Sequence, residues 1–418
     1  IDNFGDKVIS LIHNAQVFEW DSNATNAVTI RATIIAGAPT ASRDMLVSTP
    51  DRHLVFFGTE ETIGDPTTQD EMFIRFSDQE DINTYQPTAV NTAGTQRLAD
   101  GSKIVGAVRG RDATYIWTDT SLFTMRFIGQ PLTFGFQQVG TNCGLIGQNA
   151  ALEVDGAAYW LSENGFFRYS GSLETMTCLV EDFVYNDLNT TANQLINVGL
   201  NNLFGEITWF YCTESSTVVN RCVTYNYQDS SPQRPVWTTG TLARGSWTDS
   251  SVFGLPHATF FNASDDASFD VVGNTEGSTI YFEHEKGTDE ALANGINAIT
   301  ANIESGDFDI TQARSSTGQQ TGVATFKGDG EFLMKIRRFI PDFLSQTGNT
   351  QVTLQLRNYP NSSQASSPLG PFTITSSTDK VDTRARARAI SLKVANTAVG
   401  QSWKLGTFRL DTQPDGRR

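Results

Sequence analysis

Residues 150–171 read AALEVDGAAYWLSENGFFRYSG, and this stretch decides the fold class. Its short apolar runs are Ala150–Val154, Ala157–Leu161 and Gly165–Tyr169. They are separated by the turn pairs Asp155-Gly156 and Glu163-Asn164. Alternating or apolar runs of this length between turn residues are typical of antiparallel strands joined by tight turns. The stretch therefore predicts three consecutive strands of one small sheet.

Comparable groups of three or four strands recur along the chain. They begin near residues 45, 103, 147, 195 and 250, a period of about 45 to 55 residues that is typical of propeller blades. A series of β-sandwiches is the rival fold, but a unit of about 50 residues is too short for a complete sandwich. We therefore predict an all-β protein whose residues 1–300 form an irregular β-propeller-like domain. It has about five to six blade-like units, and the first unit, which contains residues 7–20, is incomplete.

Large aromatic residues recur within these groups. We expect Trp117, Trp160, Trp209 and Trp237 to fill the gaps between neighbouring sheets, because blades bury their faces against one another. Helix is scarce, and the modest candidates are Glu181–Leu188 and Asp289–Ala293.

Around residues 286–330 the pattern changes, and Gly, Thr, Asp, Ser and Gln dominate. We predict that residues 301–330 form a linker with an exposed hairpin, Ala298–Ile303 with Phe308–Ile310. Residues 331–418 contain about five strand patterns, which indicates a small C-terminal β-sandwich domain.

An arginine ladder lies in that last domain. Arg384, Arg386 and Arg388 share one strand face with Ile390, Leu392 and Val394 if the strand is continuous. A buried face cannot hold three unpaired guanidinium groups. The strand therefore has a bulge near Ala389, or its first half projects beyond the core. Either way we expect the ladder at the domain edge, where it and Arg337 and Arg338 are candidates for a subunit interface.

The composition is acidic and poor in chemistry-bearing motifs. The 418 residues carry a formal net charge of -16, which does not favour binding to nucleic acid or to anionic membranes. No apolar run is long enough to cross a membrane, so no membrane insertion is expected. The four histidines are scattered and the four cysteines, Cys143, Cys178, Cys212 and Cys222, fit buried thiols. We expect no enzyme activity, no catalytic residue, no cofactor and no metal.

Two alternatives concern carboxylates. Asp265, Asp266, Glu283 and Glu285 could form the acid pair of a glycan-cleaving protein, and exposed tryptophans could bind glycans. Asp265, Asp266 and Asp270 could hold calcium in a loop, although their spacing is not that of an EF-hand. Solvated turn carboxylates on an acidic protein are the simpler interpretation.

Several segments resemble tail nozzle or tail-hub structural proteins of tailed bacteriophages. They are Phe73–Tyr85 (FIRFSDQEDINTY), Ile116–Gly129 (IWTDTSLFTMRFIG), Gly156–Gly171 (GAAYWLSENGFFRYSG), Ala301–Ile310 (ANIESGDFDI) and Ser402–Arg418 (SWKLGTFRLDTQPDGRR).

The resemblance implies a propeller-bearing virion protein that is assembled in the host cytoplasm. It implies a ring of identical copies in the tail, usually a hexamer, that contacts tail adaptor and tail fibre proteins. Genome DNA would pass through the ring without specific binding. Because the chain opens on Ile1 without a basic segment and an apolar run, we expect its start to be a processed or internal point of a longer chain.

Overall fold

A computed structural model describes residues 1–24, 27–49, 51–249, 254–261, 279–292, 295–309, 311–314, 320–325, 332–359 and 367–416. The chain divides into two compact units. The first, the propeller-like unit, comprises residues 1–264 and 276–285. The second, the C-terminal unit, comprises residues 265–275 and 286–418. Within the described residues, no helix has the length and apolar character needed to span a bilayer.

The propeller-like unit consists of small antiparallel sheets, each made from consecutive strands. The first sheet contains β1 (Asp2–Phe4), β2 (Lys7–Leu11), β3 (Val17–Asp21) and β4 (Thr33–Ile34). The second contains β5 (Asp44–Val47), β6 (Leu54–Phe57), β7 (Phe73–Phe76) and β8 (Gly94–Arg97). The third contains β9 (Ile104–Arg109), β10 (Thr114–Thr118), β11 (Ser121–Gly129) and β12 (Thr133–Thr141).

Three further sheets follow in the same way. The fourth contains β13 (Ala151–Val154), β14 (Ala157–Ser162), β15 (Gly165–Tyr169) and β16 (Leu173–Thr175). The fifth contains β17 (Asn197–Asn201), β18 (Glu206–Tyr211), β19 (Arg221–Asn226) and β20 (Trp237–Gly240). The sixth contains β21 (Ser246–Thr248), β22 (His257–Phe261) and β23 (Thr279–Glu283). Helix α1 (Glu181–Tyr185) and two 3-10 turns, Pro66–Thr68 and Thr190–Leu195, are the helical elements of the described residues.

The first strands of successive sheets contact one another, which is the arrangement of blades around a hub. Contacts join β1 to β5, β5 to β9, β9 to β13, β13 to β17 and β17 to β21. Backbones come close at this hub: Asn149 and Asn197 form a parallel bridge between the fourth and fifth sheets. A side chain at Gly106 of β9 would place its Cβ 2.7 Å from the carbonyl oxygen of Gln148. The predicted β-propeller-like domain is therefore confirmed.

The predicted tryptophans do lie between sheets. Trp117, Trp160 and Trp209 are fully buried, and Trp237 is nearly so. The indole nitrogen of Trp209 donates to the Ala150 carbonyl over 2.9 Å, and that of Trp237 to the Thr177 carbonyl over 2.9 Å. Both hydrogen bonds join the fifth sheet to backbone that flanks strands of the fourth sheet. Each indole ring therefore fills the space between the two sheets while its N–H has an acceptor.

The C-terminal unit is a β-sandwich, as expected. One sheet has the strand order β26-β34-β31-β32 and the other has the order β33-β29-β36, with a two-stranded sheet β30-β35 beside them. Met334 and Ile336 of one sheet form a core with Leu354 and Ile390 of the other. A second cluster contains Phe339, Val352, Ile374 and Val394.

The bounds of its strands are as follows. They are β24 (Asp289–Leu292), β25 (Gly295–Ala298), β26 (Asn302–Glu304), β27 (Thr311–Arg314), β28 (Gln320–Thr325), β29 (Met334–Ile340), β30 (Phe343–Thr347), β31 (Thr350–Arg357), β32 (Ser367–Ile374), β33 (Val381–Ala387), β34 (Ala389–Ala395), β35 (Ser402–Leu405) and β36 (Arg409–Pro414).

Two local expectations are wrong. Asp289–Leu292 is not helical: it forms β24, which pairs antiparallel with β25, and Ala293 lies outside the described residues. Among the described residues, Ala298–Ile303 forms no strand pair with Phe308 or Asp309, and Ile310 lies outside them. Instead β26 pairs with β34, and Phe308 bridges Ile390, so both add to the sandwich. The hairpin of this region is formed by β27 and β28.

The domain limits also differ from those expected. The C-terminal unit begins its main segment at residue 286, and the described strands within residues 301–330, β26, β27 and β28, belong to it. The first sheet has four strands, in contrast to the incomplete first unit expected from the sequence.

Candidate functional site

The outer face of the sheet β33-β29-β36 is the surface on which the predicted interface residues meet. Thr383, Ala385 and Ala387 of β33 are buried, so Arg384 and Arg386 lie on the opposite, exposed side. On the neighbouring β29, Met334, Ile336 and Phe339 are buried. We call Lys335, Arg337, Arg338, Arg384 and Arg386 the basic face.

The arginine ladder is interrupted in a way that the sequence did not predict. The strand neither bulges at Ala389 nor projects beyond the core. It ends at Ala387, and after Arg388 the chain continues as β34 in the other sheet. The buried positions thereby change from odd numbers in β33, Ala385 and Ala387, to even numbers in β34, Ile390 and Val394. Arg388 thus lies at the change of sheet, where its amide donates to the Arg357 carbonyl over 3.0 Å.

Arg337 and Arg338 occupy an irregularity of β29. The register shifts between Ile336 and Arg338 against both β33 and β36. Such a bulge turns successive side chains to the same side of a sheet. Arg337 is exposed, whereas Arg338 is half-buried with its Nε 3.6 Å from carboxylate oxygens of both Asp382 and Asp411.

The remaining cations of the face differ in their partners. Arg386 forms an ion pair with Asp415. Lys335 lies directly opposite Arg386 in the register, which places two cations side by side. In the described part of the chain, Lys335, Arg337 and Arg384 form no ion pair. Lys335 was missed from the sequence, because only the pairing with β33 brings it beside the ladder.

The acidity of the chain is confined to one unit. The propeller-like unit has 31 acidic and 14 basic side chains, a net charge of -17, whereas the C-terminal unit has 15 acidic and 16 basic ones, a net charge of +1. Residues 332–416 of the sandwich have 11 basic and 5 acidic side chains. The basic face therefore lies in a region where cations clearly exceed carboxylates.

The carboxylates of the glycan and calcium alternatives are placed as follows. Asp265, Asp266 and Asp270 lie outside the described residues. Glu283 Oε1 is 3.9 Å from His257 Nε2, and Glu285 Oε1 accepts a hydrogen bond from Asn201 Nδ2 over 3.0 Å. Burial, and then the charge of Glu285, raises the pKa of Glu206. The described residues hold no cluster of three or more His, Cys, Asp or Glu side chains able to bind a metal ion.

A polar groove lies between the first and second sheets. Its volume is about 380 Å³, and its charged lining residues are Asp6, Lys7, Asp21, Arg52, Glu80 and Asp81. Both cations are engaged: Lys7 Nζ lies 2.6 Å from Glu19 Oε2, and Arg52 Nη1 lies 3.0 Å from Glu80 Oε2. The groove is therefore a charged surface whose two cations are already paired with carboxylates.

A buried polar cluster joins parts of the second sheet. His53 Nδ1 is 2.9 Å from Asp51 Oδ2, and His53 Nε2 is 3.0 Å from Thr92 Oγ1. Thr92 Oγ1 donates to Asp78 Oδ1 over 2.6 Å. Burial alone would raise the pKa of Asp51, but hydrogen bonds from His53 and Ser48 outweigh it and lower the pKa. His53 is fully buried, so the cluster holds loops together and is closed to substrates.

The cysteines carry no reactive thiol in this structure. All four are free, and Cys143, Cys212 and Cys222 are buried. Burial raises the pKa of Cys143 and of Cys222 to about 11 each, so both stay protonated at neutral pH.

Comparisons with known proteins give little beyond the fold. No family model matches the chain, and no curated protein matches it. Among solved structures, the chain is similar to BamB from Moraxella catarrhalis, with 11% identical residues and a TM-score of 0.31 over 62% of this chain and 77% of that one. A likeness of this degree says nothing about function. The propeller-like fold follows from the strand order and hub contacts described above.

Proposed function

We propose that this protein is a structural subunit of a bacteriophage tail, which assembles with identical copies into a nozzle or hub ring. The observation that carries the proposal is the separation of charge between the units, -17 in the propeller-like unit and +1 in the C-terminal unit. The resemblance of the quoted segments to tail nozzle and tail-hub proteins adds the assembly and the location in the virion. The ring is a hexamer in that resemblance, with tail adaptor and tail fibre proteins as neighbours.

The negative charge of the propeller-like unit suits a protein that DNA passes without binding to it. Nucleic-acid binding depends on neutralising phosphates with Lys and Arg. A unit with 31 acidic side chains repels phosphate instead. A surface of this kind near a DNA path lowers friction during ejection, and it needs no catalytic residue.

Ring formation also fits the distribution of charge. A closed ring repeats one heterologous contact, in which a surface of each copy meets a different surface of the next. A chain that carries a strongly acidic unit and a basic face offers two such complementary surfaces. Glycan binding is not proposed, because the four tryptophans of the sequence hypothesis are buried and Glu283 and Glu285 already have partners.

Electron microscopy of the purified full chain tests the proposal. We expect rings with a central hole at micromolar concentration, and the same protein in purified virions of the phage that encodes it. Particles made without it should fail to retain DNA or to complete their tails. A chain that is monomeric under all conditions and absent from virions contradicts the proposal.

A further inference from the structure

The basic face carries more positive charge than its own strands neutralise. Lys335 and Arg386 lie directly opposite each other on β29 and β33. Like charges in such a position destabilise a sheet. Asp415 neutralises Arg386, but Lys335, Arg337 and Arg384 have no ion pair within the described residues. An arrangement that opposes the stability of its own sheet points to an anionic partner.

The basic face suits binding to an extended anionic surface better than binding to a small anion. Its cations are spread over β33 and β29 and stand on a rigid sheet whose inner side is packed against the sandwich core. Arg384 alternates with the buried Ala385, and Arg337 stands out at the strand irregularity. Cations arranged in this way can pair with negative charges that are spaced over many ångströms on a partner surface.

Two kinds of polyanion fit such a face, and the observations favour a protein. Asp382, Asp411 and Asp415 lie among the cations and hold Arg338 and Arg386. Carboxylates at these positions repel the phosphates of nucleic acid, whereas a folded acidic surface with its own few cations can pair with both signs. Every copy of this chain presents an acidic unit with 31 carboxylates against 14 basic residues.

We propose that the basic face of one copy binds the acidic surface of the propeller-like unit of a neighbouring copy. This inference rests on the proposed ring and names the contact that closes it. The cations of the face draw the two copies together and set which surfaces meet. Charge complementarity of this kind acts mainly on encounter and orientation, and it weakens as salt screens it.

Charge reversal with a matched control tests the inference. In the full chain, Arg337→Glu with Arg384→Glu changes two exposed side chains that hold no ion pair within the described residues. We expect self-association, measured by sedimentation at 0.1 M salt, to weaken about tenfold or more. Lys404→Glu makes the same kind of charge change at an exposed position of β35, off the basic face, and we expect less than a threefold effect.

A salt series and conservative variants make the test independent of folding. We expect the association of the wild type to weaken at least tenfold between 0.1 M and 1 M salt, because the Debye length falls from about 10 Å to about 3 Å. Arg384→Lys keeps the charge and is expected to associate like the wild type. If the double variant unfolds at a lower temperature than Lys404→Glu, its weaker association could reflect misfolding. The association of the single variant Arg384→Gln and the salt series of the wild type then test the inference.

The outcomes separate this inference from the proposed function. Rings that are insensitive to salt and to reversal of Arg337 and Arg384 overturn the inference and leave the ring function standing. A chain that never associates overturns both. Binding of a duplex DNA oligonucleotide at 0.1 M salt that Arg384→Glu abolishes, with self-association unchanged, assigns the face to nucleic acid and also overturns the inference.

Discussion

His284 is a residue at which protonation and packing are opposed. Arg244 Nε lies 2.9 Å from His284 Nε2, and the Trp247 ring is 4.5 Å from the imidazole. Burial, and then the positive charges of Arg244 and His257, lowers the pKa of His284 to about 4. The folded protein therefore holds a neutral imidazole that accepts from a guanidinium.

This pKa predicts a loss of stability in mild acid. Between pH 6.5 and 4 the unfolded chain takes up a proton at His284 that the folded chain does not, so the free energy of unfolding falls as the pH falls. After allowance for solvent screening at this partly exposed group, the loss is about 1 kcal/mol. Urea unfolding at pH 7.5 and pH 5 measures it. We expect His284→Gln to be less sensitive to this change, and the exposed His13→Gln to behave like the wild type; equal sensitivity of all three proteins contradicts the assignment.

At the scale of elements, the hub requires close backbone approach. Gly106→Ala would place a Cβ 2.7 Å from the Gln148 carbonyl oxygen, a backbone atom that cannot rotate away. We expect a loss of about 1–3 kcal/mol in the free energy of unfolding, as for other overpacked positions. Gly245→Ala is the control, because its Cβ would lie 3.6 Å from the nearest atom, the Thr259 carbonyl oxygen. Equal denaturation midpoints for the two variants would show that the blades can separate at no cost.

The blades were predictable because their signals are local. Each strand of the fourth sheet pairs with the next strand along the chain, and turn residues such as Asp155 and Gly156, both with positive φ, mark the reversal. The positions of the tryptophans were predictable for a related reason. A large aromatic ring on a strand of a small sheet can be buried almost only in the gap between that sheet and its neighbour. Trp209 needs an acceptor for its indole N–H and finds the Ala150 carbonyl in the preceding sheet.

The C-terminal unit was less predictable because its pairings are distant in sequence. Asn302–Glu304 resembles half of a local hairpin, but its partner is β34. The basic face was predictable in part: Arg337, Arg338, Arg384 and Arg386 meet on one sheet. Alternation alone could not place Arg388, because the chain changes sheet there. It could not place Lys335 either, because its neighbours depend on how β29 and β33 align.

At the scale of the whole molecule, the two units have separate cores. The clusters around Trp160 and Phe56 contain residues of the propeller-like unit, and those around Leu354 and Phe339 contain residues of the C-terminal unit. A buried substitution in one core therefore affects mainly its own unit.

Calorimetry of a core variant checks this independence. Leu354 is fully buried between the two sheets of the sandwich, and Leu354→Ala is expected to lose about 2–5 kcal/mol. We expect one thermal transition to move to lower temperature and the other to remain. Leu344→Ala, at a position that is 71% exposed, should move neither. A single transition that shifts as a whole would mean that the units unfold together.

The sheet order of the two units also has a consequence for the time course of biosynthesis. Each blade pairs strands that follow one another, so it can form as soon as its own residues have left the ribosome. Strand β26 must instead wait for β34, which ends at Ala395. At about 5–20 residues per second that delay is roughly 5 to 20 seconds. During this delay the blades of the propeller-like unit can already have folded. The edge of β26 is meanwhile unpaired and can pair with other nascent chains nearby. Folding of the C-terminal unit is therefore the step of biosynthesis that is most exposed to aggregation.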